Sequence, residues 1–340
     1  IAQREVMPIL MEGLRRLEYR GYDSAGIAIR DASAHLQRIR SVGKVASLQE
    51  LLDKTEISGD LGIAHTRWAT HGMPAERNAH PHMSGEQVAV VHNGIIENHR
   101  ELREQLTAAG YRFSSETDTE VIVHLLASEL KNTPDLLQAV RATTARLVGA
   151  YALAVVTPDD PDRLVVARVG SPLVVGVGEK ENFIASDVFA LLPVTQRFMF
   201  LEEGDVAEIR RDRIRVFDEQ GEQVERPVRA SQLAATTADK GPYKHYMLKE
   251  IHEQPSVIAE TLEGRIHRGR LLEESFGHEA KRLLDETRAV HIIACGTSYH
   301  AGLVCRYWLE ESGIPCSVEV ASEYRYRKVV VLPGTYNPTT

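Results

Sequence analysis

No apolar run in this 340-residue chain approaches the roughly 18 residues needed to cross a bilayer as a helix. The opening stretch interleaves Arg4, Glu5, Glu12, Arg15 and Arg16 with its apolar residues, so neither a membrane anchor nor a signal peptide is expected. An excess of positive charge is also missing. The net charge of −8 removes the global field that draws proteins to nucleic acid or to an anionic membrane surface. Cysteine is scarce: Cys295, Cys305 and Cys316 are odd in number and never spaced C-x-x-C, which fits a reducing, cytoplasmic setting. Internal repeats and low-complexity tracts are absent. The first residue is Ile1 and not Met, so the expectation is a processed chain or one that begins inside a longer reading frame. What is present, 43% hydrophobic and 26% charged residues, is the balance of a globular protein. At roughly 150 residues per domain, the length suits two domains, or one and part of a second.

Val6, Ile9, Leu10, Leu14 and Leu17 recur at helical spacing, so the chain opens on an amphipathic helix that ends near Tyr19. Short β-type runs follow at 25–29, 61–65 and 88–92. Thr117-x-x-Glu120 is a capping-box pattern leading into a helix over 121–130. A second helix over 136–147 precedes strand-like runs at 150–157, 163–168, 173–178, 183–186, 198–201, 206–210 and 213–217. Many strands with helices grouped together argue for sheets covered by helices and against regular βαβ winding. Residues 231–241 are small and polar and predict a linker. Beyond them come a helical stretch carrying Pro255 over 246–262, a short helix at 280–284, a buried strand at 290–294, a Gly296-Thr297-Ser298 turn, a helix over 299–310 and a strand at 316–320. That order begins a doubly wound α/β domain.

The densest polar constellation is His65-Thr66-Arg67-Trp68-Ala69-Thr70-His71-Gly72, directly after a predicted strand. A planar guanidinium with Thr and His donors beside it suits a carboxylate ligand; a solvated loop with one ion pair is the plainer alternative. His80-Pro81-His82 lies near, but no Cys or acidic ligand stands at a recognised zinc spacing, so no metal is expected. Val91-His92-Asn93-Gly94 reads as a strand ending in a glycine turn. An Asn amide and a backbone N–H could converge there on one oxygen, or the pair could be an ordinary Asn-Gly hairpin. Asp118, in the first turn of the capped helix, could hold an ammonium or serve only the helix dipole.

These segments, taken in order, are similar to a known family. Leu17-Glu18-Tyr19-Arg20-Gly21-Tyr22-Asp23-Ser24-Ala25-Gly26, the 64–72 loop, Asn78-Ala79-His80-Pro81-His82, His92-Asn93-Gly94-Ile95-Ile96-Glu97-Asn98 and Ser115-Glu116-Thr117-Asp118-Thr119-Glu120 resemble the isomerising glutamine:fructose-6-phosphate aminotransferases, or glucosamine-6-phosphate synthases. The resemblance continues through Ser186-Asp187, Leu201-Glu202-Glu203-Gly204-Asp205, His245-Tyr246-Met247, Glu253-Gln254-Pro255 and Ala294-Cys295-Gly296-Thr297-Ser298-Tyr299, as far as about residue 328. It implies an α+β N-terminal-nucleophile glutaminase domain, a four-layer αββα sandwich, over 1–220 without its first strand. A linker and connecting helix over 221–279 and the start of an α/β sugar-isomerase domain over 280–328 would follow. Residues 329–340 match nothing in the family.

By motif, the resemblance assigns Arg67, Thr70 and His71 to the carboxylate of glutamine, Asp118 to its ammonium, and Asn93 and Gly94 to the oxyanion. Arg20 would help cover that site, Trp68 would gate an ammonia channel, and Thr297 and Ser298 would contact a sugar phosphate, as backbone N–H groups at a helix start can. The expected partners are L-glutamine and fructose 6-phosphate, with a homo-oligomer for the full-length protein and no nucleic acid or membrane. No cofactor is implied, since amide hydrolysis and ketose isomerisation need only side-chain acids, bases and a Schiff-base lysine. The family's nucleophile is an N-terminal cysteine activated by its own α-amino group. Motif alignment puts Ile1 a few residues inside the family's start, after a Cys-Gly-Ile-Val-Gly strand, so the chain is expected to be inactive. Two alternatives stay open: another glutamine amidotransferase with the same glutaminase type, and a non-catalytic sugar-phosphate-binding module.

Overall fold

The computed structural model describes residues 1–18, 22–67, 72–231, 242–262, 266–267, 270–271 and 280–326. It divides into two units, Ile1–Pro242 and Tyr243–Thr340. Unit 1 opens with helix α1 (Met7–Leu17), which carries a proline in its first turn and Arg15 and Arg16 in its last, both favourable to a helix dipole and its free N–H groups. Strands β1 (Ser24–Arg30) and β2 (Leu36–Val42), helix α2 (Val45–Leu52) and strand β3 (Leu61–Arg67) follow. Next come β4 (His82–Ser84), β5 (Val88–Ile96) and helices α3 (His99–Ala108), α4 (Thr119–Asn132) and α5 (Leu136–Thr144). Among the described residues of the unit, nine strands follow: β6 (Gly149–Val156), β7 (Leu164–Val169), β8 (Val174–Val177), β9 (Asn182–Ala185), β10 (Arg197–Phe200), β11 (Val206–Ile209), β12 (Ile214–Phe217), β13 (Gln223–Val224) and β14 (Val228–Ala230).

Among the described residues, these strands form three sheets in the orders β2-β1-β3, β14-β10-β8-β9 and β13-β12-β11-β7-β6-β5-β4. Successive side chains along a strand point to opposite faces, and the packing follows that period. In the long sheet Ala89 and Val91, Ala152 and Ala154, and Leu164 and Val166 face one core shared with Ala28, Ile63 and Val175 of the smaller sheets. The alternate residues Val88 and Val90, Leu153 and Val155, and Val165 and Ala167 face a second core with Ile122, Val123, Leu126 and Val140 of α4 and α5. On the far side, Ile27 and Ile29 pack on Met11, Leu14 and Leu48 of α1 and α2. The layers are therefore helices, two smaller sheets, one long sheet, helices: the αββα sandwich. Because both sheet faces are covered, most central strands read as continuous apolar runs.

Helix α4 is buried from Thr119 through Ala127 because α3 lies over its outer side, with Leu102 and Leu106 on Val121 and Leu125. The expected capping box is half realised. Thr117 Oγ1 accepts the Glu120 N–H at 3.3 Å, but the Glu120 carboxylate does not return to the Thr117 N–H. It accepts instead from the backbone and hydroxyl groups of Ser114 and Ser115 at 2.7–2.8 Å, and these donors outweigh its desolvation and hold its pKa below the ordinary value.

Within unit 1, β2, α2, β4, α3, β13 and β14 carry no sequence expectation. The glutaminase boundary expected at residue 220 also moves. Strand β13 pairs with β12 and β14 with β10, so the sheets of unit 1 take in 223–230 and the unit runs to Pro242. Most of the expected 231–241 linker lies outside the described residues, as does the 329–340 tail.

Unit 2 contains α6 (Tyr246–Leu262, with Pro255 inside), a short pair β15 (Ile266–His267) and β16 (Arg270–Leu271), α7 (Ala280–Glu286), β17 (Val290–Ala294), α8 (Gly296–Glu311), β18 (Cys316–Val320) and α9 (Ala321–Tyr326). Strands β17 and β18 pair in parallel from Val290↔Cys316 to Ala294↔Val320, the expected start of an α/β domain. Helix α8 sits close over them because Gly302 is opposite Ile292 and Val318, where an added Cβ would crowd both side chains. The Gly296-Thr297-Ser298 segment is not a free turn. It is the first turn of α8, with Gly296 taking the positive φ (58°) that the tight entry requires. No helix among the described residues is long and apolar enough to cross a membrane.

Candidate active site

A cavity of about 510 Å³ in unit 1 is lined by residues of α1, by β3 and β9 at the edges of the two smaller sheets, and by β5 and β6 of the long one. Arg67, Asn93, Gly94 and Asp118 all line it. Three separate stretches of chain thus bring to one hollow four of the residues singled out in the sequence.

Arg67 ends β3 and is 4% exposed. The Asp23 N–H donates to its carbonyl at 2.7 Å, its Nη1 approaches Asp23 Oδ1 at 3.4 Å and its Nη2 donates to the Gly72 carbonyl at 3.3 Å. The guanidinium is therefore oriented by long contacts on its flanks. Asn78 is fully buried and acts as a clamp. Its amide donates to the Met73 carbonyl and Glu116 Oε2, each at 2.9 Å, and its oxygen accepts the Glu116 N–H at 2.9 Å. These bonds tie the 72–78 stretch to the segment leading to Asp118. Asn78 was visible in the sequence only as part of a motif, and nothing local marked it as a positioning residue.

Asn93 and Gly94 do not form a turn. Strand β5 continues through both to Ile96, with Asn93 opposite Ala152 and Gly94 opposite Tyr151. The glycine is required for another reason: its φ is +140°, and a Cβ there would collide with the Ala150 carbonyl. Asp118 is the N-cap residue of α4, yet its side chain caps nothing. Its Oδ2 accepts the Ile96 N–H at 2.8 Å, so the carboxylate is fastened to the same strand that carries Asn93 and Gly94. The helix-dipole reading of Asp118 accounts for less than this bond does.

The resemblance assigned a role to His71 but none to three other histidines. His65, His80 and His92 line the same cavity. His92 Nδ1 shares a hydrogen bond with Thr119 Oγ1 at 2.9 Å and lies 4.0 Å from Asp118 Oδ2. Burial, then the neighbouring His92 and Arg67, pushes the pKa of His65 down to about 3. Burial and the adjacent imidazoles also push His80 well below the ordinary histidine value, and burial pushes His82 to about 3. His65, His80 and His82 are therefore uncharged at neutral pH. No group of metal-ligating side chains assembles among the described residues.

Arg20, Trp68, Thr70 and His71 lie outside the described residues. Thr297 and Ser298 are exposed in the first turn of α8 in unit 2.

Residues 65–193 match the model of a glutamine amidotransferase domain. Over 336 residues, 98% of the chain, 60% are identical to the glutamine–fructose-6-phosphate aminotransferase (isomerizing) of Pseudomonas putida. Over nearly its whole length the chain is thus similar to the glutamine–fructose-6-phosphate aminotransferases, and it carries a glutamine amidotransferase domain. Proteins of the same name from Pseudomonas aeruginosa (61% over 334 residues) and Shewanella oneidensis (56% over 336 residues) are further relatives, each matched over 98% of the chain. The chain spans 55% of the length of each of these aminotransferases. Among solved structures, a glutamine phosphoribosylpyrophosphate amidotransferase from B. subtilis superposes with a TM-score of 0.53 over 93% of this chain and 64% of its own, at 20% identity. That likeness is one of fold alone.

Proposed function

We propose that unit 1 binds L-glutamine and that the full-length protein moves its amide nitrogen to fructose 6-phosphate, giving glucosamine 6-phosphate and glutamate. The observation that carries the reading is the convergence of Arg67, Asn93, Gly94 and Asp118 on one cavity. The Arg67 fork takes the α-carboxylate; by resemblance, Thr70 and His71 would share in holding it and Arg20 would help cover the ligand. Asp118 takes the α-ammonium. The Asn93 side chain and the Gly94 N–H take the oxygen that gains negative charge when the side-chain carbonyl is attacked, and Asp118, bonded to the Ile96 N–H, keeps the two ends of the ligand in register. By resemblance, Trp68 would gate ammonia and Thr297 and Ser298 would contact the sugar phosphate. The relatives are named for glutamine and fructose 6-phosphate, which supports both substrates. A cytoplasmic homo-oligomer is the expected setting.

Residues 1–242 contain no cysteine, since all three lie beyond residue 294. These residues are expected to bind glutamine without releasing ammonia from it. Titration calorimetry of the chain with L-glutamine and L-glutamate, beside an ammonia-release assay, tests the reading. Binding of both ligands without turnover is the expected result; ammonia release would overturn the assignment of the nucleophile, and binding of neither ligand would overturn the site. Asp118→Asn keeps an oxygen for the Ile96 N–H while removing the charge, so the fold should survive with affinity for both ligands down about tenfold.

A further inference from the structure

We infer that Arg40, on the outer strand β2, is a positioning residue that holds the Asn78 clamp and, through it, the carboxylate and ammonium anchors of the cavity. The inference rests on the proposed glutamine site and adds to it a residue that does not line the cavity.

Strand β2 lies at the edge of the β2-β1-β3 sheet, where Arg40 is opposite Gly26 of β1. The bare face of that glycine lets the arginine stem cross the sheet: a Cβ on Gly26 would crowd Arg40 Cγ at 2.9 Å and collide with the His80 carbonyl. Arg40 Nη1 then donates to the Ala79 carbonyl at 3.0 Å and to the Arg77 carbonyl at 3.3 Å. One guanidinium thus grips the main chain on both sides of Asn78. Arg38, two residues back and on the same face of the strand, reaches only the Pro81 carbonyl, at 3.5 Å.

The position is a costly one for a cation. Arg40 is half-buried, and burial, then the neighbouring Arg38, push its pKa down to about 10, which still leaves it charged at neutral pH. A charged group withdrawn from water needs acceptors, and those that Arg40 meets are the carbonyls of Arg77 and Ala79.

These carbonyls flank the residue that joins the two anchors. The Asn78 side chain bonds to Met73 and to both the backbone and the carboxylate of Glu116. Gly72 lies so close that a Cβ there would crowd Asn78 Nδ2 and Glu116 Cβ. The Gly72 carbonyl accepts from Arg67 Nη2, and Glu116 leads in two residues to Asp118. Arg40 therefore fixes the residue through which the segments orienting Arg67 and carrying Asp118 are joined, and it acts on the ligand only through them.

A double-mutant cycle read by calorimetry with L-glutamine tests the role, with thermal unfolding run on each variant to report folding. Arg40→Met keeps the stem and removes the donors, so it should weaken binding about tenfold. Arg40→Lys returns a donor for the carbonyls and should stay within about threefold of the parent. Asn78→Ala should weaken binding at least as much as Arg40→Met, and adding Arg40→Met to it should cost less than a further twofold, because the grip then holds nothing. If Asn78→Ala does not fold, Glu116→Ala, at an exposed side chain, loosens the other end of the clamp and takes its place in the cycle. Arg38→Met removes the same charge from the same face and should change affinity less than about twofold. Independent losses, in which the double variant is weakened by the product of the two single effects, overturn the positioning role. Unchanged affinity in Arg40→Met, or an equal loss in Arg38→Met, overturns it too. A parent chain that binds neither glutamine nor glutamate overturns the glutamine reading and this role with it, whereas a parent that binds but shows independent losses overturns the role alone.

Discussion

Replacing Arg67 with alanine should reduce affinity for both glutamine and glutamate at least 100-fold. The residue is 4% exposed, so its guanidinium acts away from bulk water, where a charge-assisted pair of hydrogen bonds to a carboxylate exceeds its surface value. Losing two such bonds corresponds to about 3 kcal/mol or more. Arg67→Lys keeps the charge and loses the planar fork, so it should recover only part of the loss. Calorimetry reads both effects, and thermal unfolding run beside it separates lost binding from lost structure. Affinity in Arg67→Ala equal to that of the parent chain would remove the carboxylate anchor from the proposed site.

The largest stability effect is expected at Glu208, on β11 and 1% exposed. Its carboxylate meets Arg163 Nη2 at 2.6 Å, Arg215 Nη2 at 2.7 Å and Arg210 Nε at 3.4 Å, and Arg163 is itself buried. Glu208→Ala would leave these arginines clustered around a cavity with their shared anion gone, and breaking such a buried pair costs about 3–5 kcal/mol. Desolvation raises the Glu208 pKa, but the hydrogen bond from Arg215 and the charges of Arg163, Arg215 and Arg210 outweigh it and hold the carboxyl below its ordinary 4.5. A depressed carboxyl contributes stability that is complete above the unfolded-state pKa and lost as pH falls through the lower folded-state value. The stability gap between parent and Glu208→Ala should therefore be widest near neutrality and narrow below about pH 4.3. Chemical denaturation across that range measures it. A gap independent of pH would mean that the cost is one of packing and not of charge.

Neither the glutamate cluster nor the histidine pair could be read from the chain, and the reason is the same. Arg215 faces Glu208 across the adjacent strands β11 and β12, but Arg163 comes from a distant stretch of chain, and His65 and His80 likewise come from different stretches. Their pKa values arise from burial by elements distant in sequence. Local signals did better. The helix over 246–262 and the strands at 290–294 and 316–320 coincide with α6, β17 and β18, because their apolar spacing and flanking glycine and proline signals are complete within the segment. Strand β2 escapes such reading because Leu-Gln-Arg-Ile-Arg-Ser-Val is only partly apolar and half-exposed. Helix α3 escapes it because its core contact is narrow, with Leu102 and Leu106 its only buried residues. Asn93-Gly94 resembles a turn for an instructive reason: the dipeptide that favours a hairpin also meets the demand of a strand whose neighbour's carbonyl leaves no room for a Cβ.

Motif order and period-2 patterning, both properties of contiguous residues, were enough to reveal the family resemblance and the layered α+β architecture. They also marked Arg67, Asn93, Gly94 and Asp118 as chemically capable residues. Whether those residues share a hollow, which histidines stand beside them, and where the first unit ends were settled by packing. Pairing β13 and β14 back into the earlier sheets set the limit of the unit. The hydrogen bond from the Ile96 N–H to Asp118 and the Asn78 clamp onto Glu116 set the geometry of the cavity. Such contacts join residues whose nearness in space has no counterpart in their spacing along the chain, and so they exist only once the layers have closed.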